Sequence, residues 1–150
     1  SPLDGKFMNI SQKDQCALTE EQIIKAPKSD YMNAAQLEFF RRRLTQLHET
    51  INERIQEAKH KMATPPELND DSDRASWEEE CSTSLRILDR EQKLLPKIVQ
   101  SLERIRLGTY GYCLESDEPI GIPRLLARPT AEYCADVKAD RELKERIYRD

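Results

Sequence analysis

No run of eighteen apolar residues occurs in this chain of 150 residues, so no helical membrane span is expected. No basic segment followed by an apolar core opens it, so no secretory leader is expected either. Positive charge is not in excess: 24 Lys and Arg against 28 Asp and Glu leave a formal net charge of −4. Non-specific binding to duplex DNA needs a strongly basic surface, so a protein or small-anion partner is expected instead. Aromatics are few, with three Phe and one Trp, and charged residues (35%) nearly match apolar ones (37%). That composition suits long solvated helices better than a thick globular core, within one domain of ordinary size. The four cysteines, Cys16, Cys81, Cys113 and Cys134, are scattered and suggest no disulfide framework. A reducing, cytoplasmic setting is the expectation.

The most informative absence concerns thiols. Cys113-Leu-Glu-Ser116 is followed, seventeen residues on, by Cys134-Ala-Asp-Val137. A four-cysteine zinc ribbon has C-x-x-C twice at about this separation. Here each pair keeps its first thiol, and Ser116 and Val137 occupy the second positions. Valine cannot ligate a metal, and a neutral serine hydroxyl is a poor zinc ligand. The spacing describes a ribbon scaffold that zinc does not hold together.

What is present is helical periodicity. Thr19-x-x-Gln22 has the pattern of a capping box for a short helix ending before Pro27, and the rest of residues 1–30 is weakly patterned. Asn33-x-x-Gln36 marks another helix start. Leu37, Phe40, Leu44, Leu47, Ile51, Ile55, Ala58 and Met62 then recur at steps of three and four until Thr64-Pro65-Pro66 stops the ladder. A polar turn follows. Ser72 or Asp73 is expected to cap a second helix, with Glu78, Glu79 and Glu80 in its first turns. Its stripe reads Trp77, Cys81, Leu85, Leu88, Leu95, Ile98, Leu102 and Ile105, with a kink expected at Pro96 and an end near Leu107-Gly108. Two matching stripes joined by a short turn predict an antiparallel coiled-coil hairpin over 31–107, with its tip at 64–76. At about 1.5 Å per residue its arms would be about 45 Å long. Short strands are expected at 108–113 and 119–123, then a basic helix from Pro129-Thr130 to Tyr148. The fold class is therefore mainly α: a hairpin plus a small degenerate zinc-ribbon-like domain, 108–150, with a C-terminal helix.

These blocks together resemble the DksA/TraR family of bacterial transcription factors. Asp70-Asp-Ser-Asp73-Arg74-Ala75-x-x-Glu78-Glu79-Glu80 resembles that family's coiled-coil tip. Gly111-Tyr112-Cys113, Ile120-Gly121-Ile122 and Arg124-Leu-Leu-Ala-Arg128-Pro129-Thr130-Ala131 resemble its ribbon. The likeness covers roughly residues 31 to 148, and the lost thiols resemble the zinc-independent branch. The resemblance implies a cytoplasmic, monomeric, non-enzymatic regulator that binds RNA polymerase rather than DNA. Its hairpin would enter the secondary channel, and the alarmone guanosine tetraphosphate (ppGpp) would act as co-regulator, with no tightly bound cofactor and no zinc. It assigns the tip role to Asp70, Asp73 and Ala75. It assigns ppGpp or polymerase-rim contacts to Leu94, Lys97, Arg128 and Lys138, with Arg90 at another basic family position.

Elementary chemistry agrees with those assignments without naming a partner. Carboxylates at a finger tip can pair with basic groups or perturb a nearby Mg²⁺, and an arginine with lysines can take phosphate oxygens. Taken singly, the tip acids read as solvated caps and the lysines as surface charges. Trp77 reads as packing near the tip, His48 and His60 as solvated, and Cys81 as a small hydrophobe. For Cys113 and Cys134 three readings stand: buried free thiols, a reversible disulfide, or a weak metal site drawing on Ser116, Glu115 or Asp117. Without zinc, packing by Tyr112, Ile120, Ile122, Leu125 and Tyr133 would hold the ribbon. The rival functions are a Gre-like factor whose tip acids hold a second Mg²⁺ for transcript cleavage, and a redox sensor acting through Cys113 and Cys134.

Overall fold

The computed structural model describes residues 17–149, with side chains as far as Tyr148. Cys16 and most of the weakly patterned N-terminal segment lie outside the described residues. Five α-helices follow one another: α1 (Glu20–Lys25), α2 (Ala34–Ala63), α3 (Asp71–Leu107), α4 (Ile122–Ala127) and α5 (Ala135–Arg149), with a 3₁₀ turn at Lys28–Asp30. The chain is mainly α, with two long packed helices forming an antiparallel hairpin and a zinc-finger-like C-terminal region. Two compact units divide it. One runs to Arg43 and resumes at Arg104, and the other is Leu44–Glu103.

In the hairpin unit, α2 contributes Leu44, Ile51, Ile55 and Ala58 to the buried seam. α3 contributes Ser84, Leu88, Glu91, Ile98 and Ser101. The expected stripe of α3 needs one correction. Leu85 is 58% exposed, and Ser84 takes the buried position. Steps of four and three from Trp77 through Cys81 lead to residue 84 and then 88, and geometry outweighs the apolarity of the neighbouring leucine. The cap also shifts. Neither Ser72 nor Asp73 starts the helix: Asp70 accepts the Asp73 N–H at its Oδ1 (2.8 Å), and its carbonyl accepts the Arg74 N–H (3.1 Å). α3 continues unbroken through Pro96. Proline leaves only the Gln92 carbonyl without its helical donor, and Gln92 and Pro96 are both exposed, so water can serve it. The helix ends where expected. Gly108 adopts φ +80°, its N–H reaches the Ile105 carbonyl, and the Thr109 N–H reaches that of Arg104, which makes a Schellman motif.

In the other unit the Thr19 capping box forms in both directions, with Thr19 N–H to Gln22 Oε1 at 3.0 Å and Gln22 N–H to Thr19 Oγ1 at 3.2 Å. Asn33 caps α2 through the Gln36 N–H (2.9 Å), while buried Gln36 reaches back to the Met32 N–H (2.9 Å). Ile23, Met32, Phe40, Tyr110, Cys113, Ile120, Leu125 and Ala131 form the core. The expected strands reduce to one antiparallel bridge, Tyr112 with Pro119. Ile122 and Pro123 open α4 instead, because proline is pre-set for a first helical turn and cannot donate to a ladder. The last helix begins at Ala135, not at Pro129-Thr130. The carbonyls that would start it earlier are taken: Pro129's by the Tyr110 hydroxyl (2.6 Å) and Glu132's by the Leu114 N–H (2.9 Å).

Candidate functional site

The tip is built by two helix ends. The Pro65-Pro66 pair terminates α2, and Asp70 opens α3 by capping it. Asp70, Asp73 and Ala75 are all exposed. One oxygen of Asp70 is engaged by the Asp73 N–H, whereas the Asp73 carboxylate stands in the first turn with no ion pair recorded. The helix dipole favours anions there, and both exposed side chains are open to a cation or metal ion. Trp77 is half-buried behind them.

Of the residues assigned to ppGpp or rim contact, Arg90, Leu94 and Lys97 follow one another at i, i+4 and i+7 on α3, which places them on one helical face. Leu94 is half-buried, while Arg90 and Lys97 are exposed. Arg128 and Lys138 belong to the other unit. Exposed Arg128 closes α4, its N–H bonding the Arg124 carbonyl (2.9 Å). Lys138 stands in the first turn of α5 with its Nζ 3.8 Å from Glu142.

At the former zinc positions, Cys113 and Cys134 are buried free thiols, and Ser116 Oγ lies 3.8 Å from Cys134 Sγ. The knuckle backbone survives: the Asp117 N–H bonds the Cys113 carbonyl, the Cys113 N–H bonds the Glu118 carbonyl, and Asp117 takes φ 59°. Burial pushes the Cys113 thiol up, but hydrogen bonds from the Ser116 hydroxyl and from the backbone at Cys134, Ser116 and Glu115 outweigh it and bring it down to about 7. Val137 brings no donor atom, and no group of three or more His, Cys, Asp or Glu able to hold a metal occurs among the described residues. This donor set does not fit a four-ligand zinc ion.

Tyr31 and Tyr110, which no local pattern marks, tie the ribbon together. The Tyr31 hydroxyl donates to the Gly111 carbonyl (2.5 Å) and accepts the Gly121 N–H (2.9 Å), and its ring meets Tyr112 edge-on at 5.6 Å. Tyr110 is fully buried against Phe40, with ring centroids 5.5 Å apart. Of the expected packing residues, Ile120 and Leu125 are buried, whereas Tyr112, Ile122 and Tyr133 are half-buried. Tyr133 lies under the Arg141 guanidinium at 4.1 Å. The neglected signal was the pairing of Tyr31 with the Gly-rich 108–121 stretch, whose glycines at positive φ let another chain segment approach closely.

A capped acidic finger joined in sequence to a zinc-finger-like knuckle defines the class, and the comparisons agree. Residues 36–105 match the family model for the N-terminal domain of DnaK suppressor protein DksA, and residues 108–143 match that for the prokaryotic DksA/TraR C4-type zinc finger. The chain belongs to the DksA/TraR family. It is 41% identical over 132 residues to the RNA polymerase-binding transcription factor DksA of Caulobacter vibrioides (strain NA1000 / CB15N), covering 82% of this chain and 93% of that one. It is also 41% identical over 124 residues to the DksA of Escherichia coli (strain K12), covering 80% of each. The solved structure of transcription factor DksA2 from Pseudomonas aeruginosa superposes with a TM-score of 0.73 at 41% identity, covering 85% of this chain and 99% of that chain.

Proposed function

We propose that this chain is a transcription factor that binds RNA polymerase, inserts its hairpin into the secondary channel, and adjusts initiation together with ppGpp without catalysis of its own. Its relatives are named for polymerase binding, and the observation that carries the finer reading is the tip. There two helix ends hold Asp70, Asp73 and Ala75 in the open, with Asp73 unspent by any cap or salt bridge. Lys97, Arg128 and Lys138 are the positions offered to ppGpp phosphates, and Leu94 and Arg90 to the nucleotide or the channel rim. If nucleotide and factor share a site, each strengthens the other's binding by the same factor. Zinc independence belongs to the same reading: tyrosine hydroxyls and packed side chains do the work that a metal does in a four-cysteine ribbon.

In vitro transcription with and without ppGpp tests the reading, comparing wild type with Asp73→Asn. The variant is expected to bind polymerase as wild type does while regulation is lost. Unchanged regulation by Asp73→Asn would remove the tip from the mechanism, and prompt shortening of RNA in a backtracked complex would turn the reading toward a cleavage factor.

A further inference from the structure

On the flank of the hairpin unit, α2 and α3 enclose a groove of about 250 Å³. Ala58 and Ile87 supply its apolar surface, and Arg54, Ser84, Arg90 and Glu91 its polar one. Steps of four and three from Trp77 put Ser84 and Glu91 at seam positions that a coiled coil ordinarily fills with apolar side chains. Both are buried there, Ser84 at 7% exposure and Glu91 at 4%. A carboxylate in such a place costs stability unless cations meet it. Two guanidiniums do. Arg54 Nη1, from α2, is 3.4 Å from Glu91 Oε1, and Arg90 Nη2 is 3.7 Å from the same oxygen.

One negative charge therefore faces two positive ones. The adjacent Lys61 and Glu57, 3.8 Å apart, balance each other. A net positive charge is left at the groove, on a hairpin whose acidic residues outnumber its basic ones. Both arginine side chains remain open to solvent, at 56% and 75% exposure. The seam of α2 runs through Ile51, Ile55 and Ala58, so packing does not demand Arg54.

The geometry points to Arg54 and Arg90 as a joint contact for a carboxylate side chain of the protein the hairpin binds, with Glu91 as the positioning residue that holds both guanidiniums. The inference rests on the reading of polymerase as that protein and adds Arg54 and Glu91 to the residues assigned above. A carboxylate matches the planar guanidinium fork in a bidentate way, and Ala58 and Ile87 offer its aliphatic stem an apolar surface. The groove has room for one such side chain.

Equilibrium binding of the full chain to RNA polymerase, without ppGpp and at two salt concentrations, tests this, with thermal unfolding of each variant alongside. Arg54→Ala and Arg90→Ala are each expected to weaken binding about three- to tenfold and to flatten its salt dependence; each also lowers the melting temperature by taking a cation from buried Glu91, so binding is measured well below each variant's transition. Glu91→Gln keeps the shape but not the charge, so in that background Arg54→Ala should change affinity less than twofold. Wild-type affinity of Arg54→Ala beside a weakened Arg90→Ala would overturn the proposal alone. So would a loss seen only when ppGpp is present, which would assign Arg54 to the nucleotide, or an Arg54 effect undiminished by Glu91→Gln. A wild-type chain with no affinity for polymerase would overturn the proposal and the reading beneath it together.

Discussion

Tyr31 and Gly111 meet in the ribbon unit, where the tyrosine hydroxyl donates to the glycine carbonyl. Gly111 sits at φ +92°, and a Cβ there would stand 2.7 Å from both Cγ and Sδ of Met32. Gly111→Ala therefore combines a left-handed backbone with a clash against a buried side chain, and a loss of about 1–3 kcal/mol is expected in denaturant unfolding. Glu38 makes a different prediction. The hydrogen bond from Arg41 holds its carboxyl well below the usual range, at about 2, and Arg42 adds to the effect. A carboxyl depressed on folding stabilises the native state above its unfolded value near 4.5, and that contribution disappears as pH falls through about 2. Glu38→Gln should therefore narrow the stability gap to wild type progressively across that window, as followed by melting temperature against pH. The pair is exposed, so the effect is small. At this scale the cluster of tip acids was legible as a local pattern, while its cap was expected at Ser72 or Asp73 and lies at Asp70. Tyr31 was not legible, because its partners lie 80 and 90 residues away.

The helices themselves were legible almost throughout, since 3.6-residue periodicity and proline stops leave direct marks in the sequence. What failed was the reading of polar residues in a seam. Ser84 and Glu91 occupy positions that apolarity does not mark, because the heptad register selects position before chemistry. The short strands and the early start of α5 failed for other reasons: Pro123 opens a helix where a strand was expected, and the Pro129 and Glu132 carbonyls are claimed by tertiary partners that no local pattern reveals. Two substitutions probe α3 directly. Asp70→Ala removes the cap and should cost about 1 kcal/mol of stability, whereas Asp70→Asn, which still caps, should cost little. Pro96 stands exposed inside the helix, so Pro96→Ala restores a backbone donor and should raise the unfolding free energy by about 1–3 kcal/mol. Denaturant midpoints measured at constant slope check both.

For the molecule as a whole, the family is one whose zinc-finger model matches residues 108–143, and this chain has two of the four thiols. Restoring both with Ser116→Cys and Val137→Cys should yield about one equivalent of bound zinc by metal analysis, while wild type keeps its melting temperature in chelator. Loss of wild-type structure on chelation would contradict zinc independence. The tyrosine clasp also governs when the ribbon can form. A metal-held knuckle closes a short loop and can fold as soon as its own residues are made. Here the hydroxyl that ties Gly111 to Gly121 comes from Tyr31, so the closure spans nearly the whole hairpin. The ribbon is thus expected to order late, after Tyr31 and the hairpin between them are in place. A chain begun after Tyr31 is therefore expected to lose the order of the ribbon, which excision of residues 108–150 as a cassette would reveal.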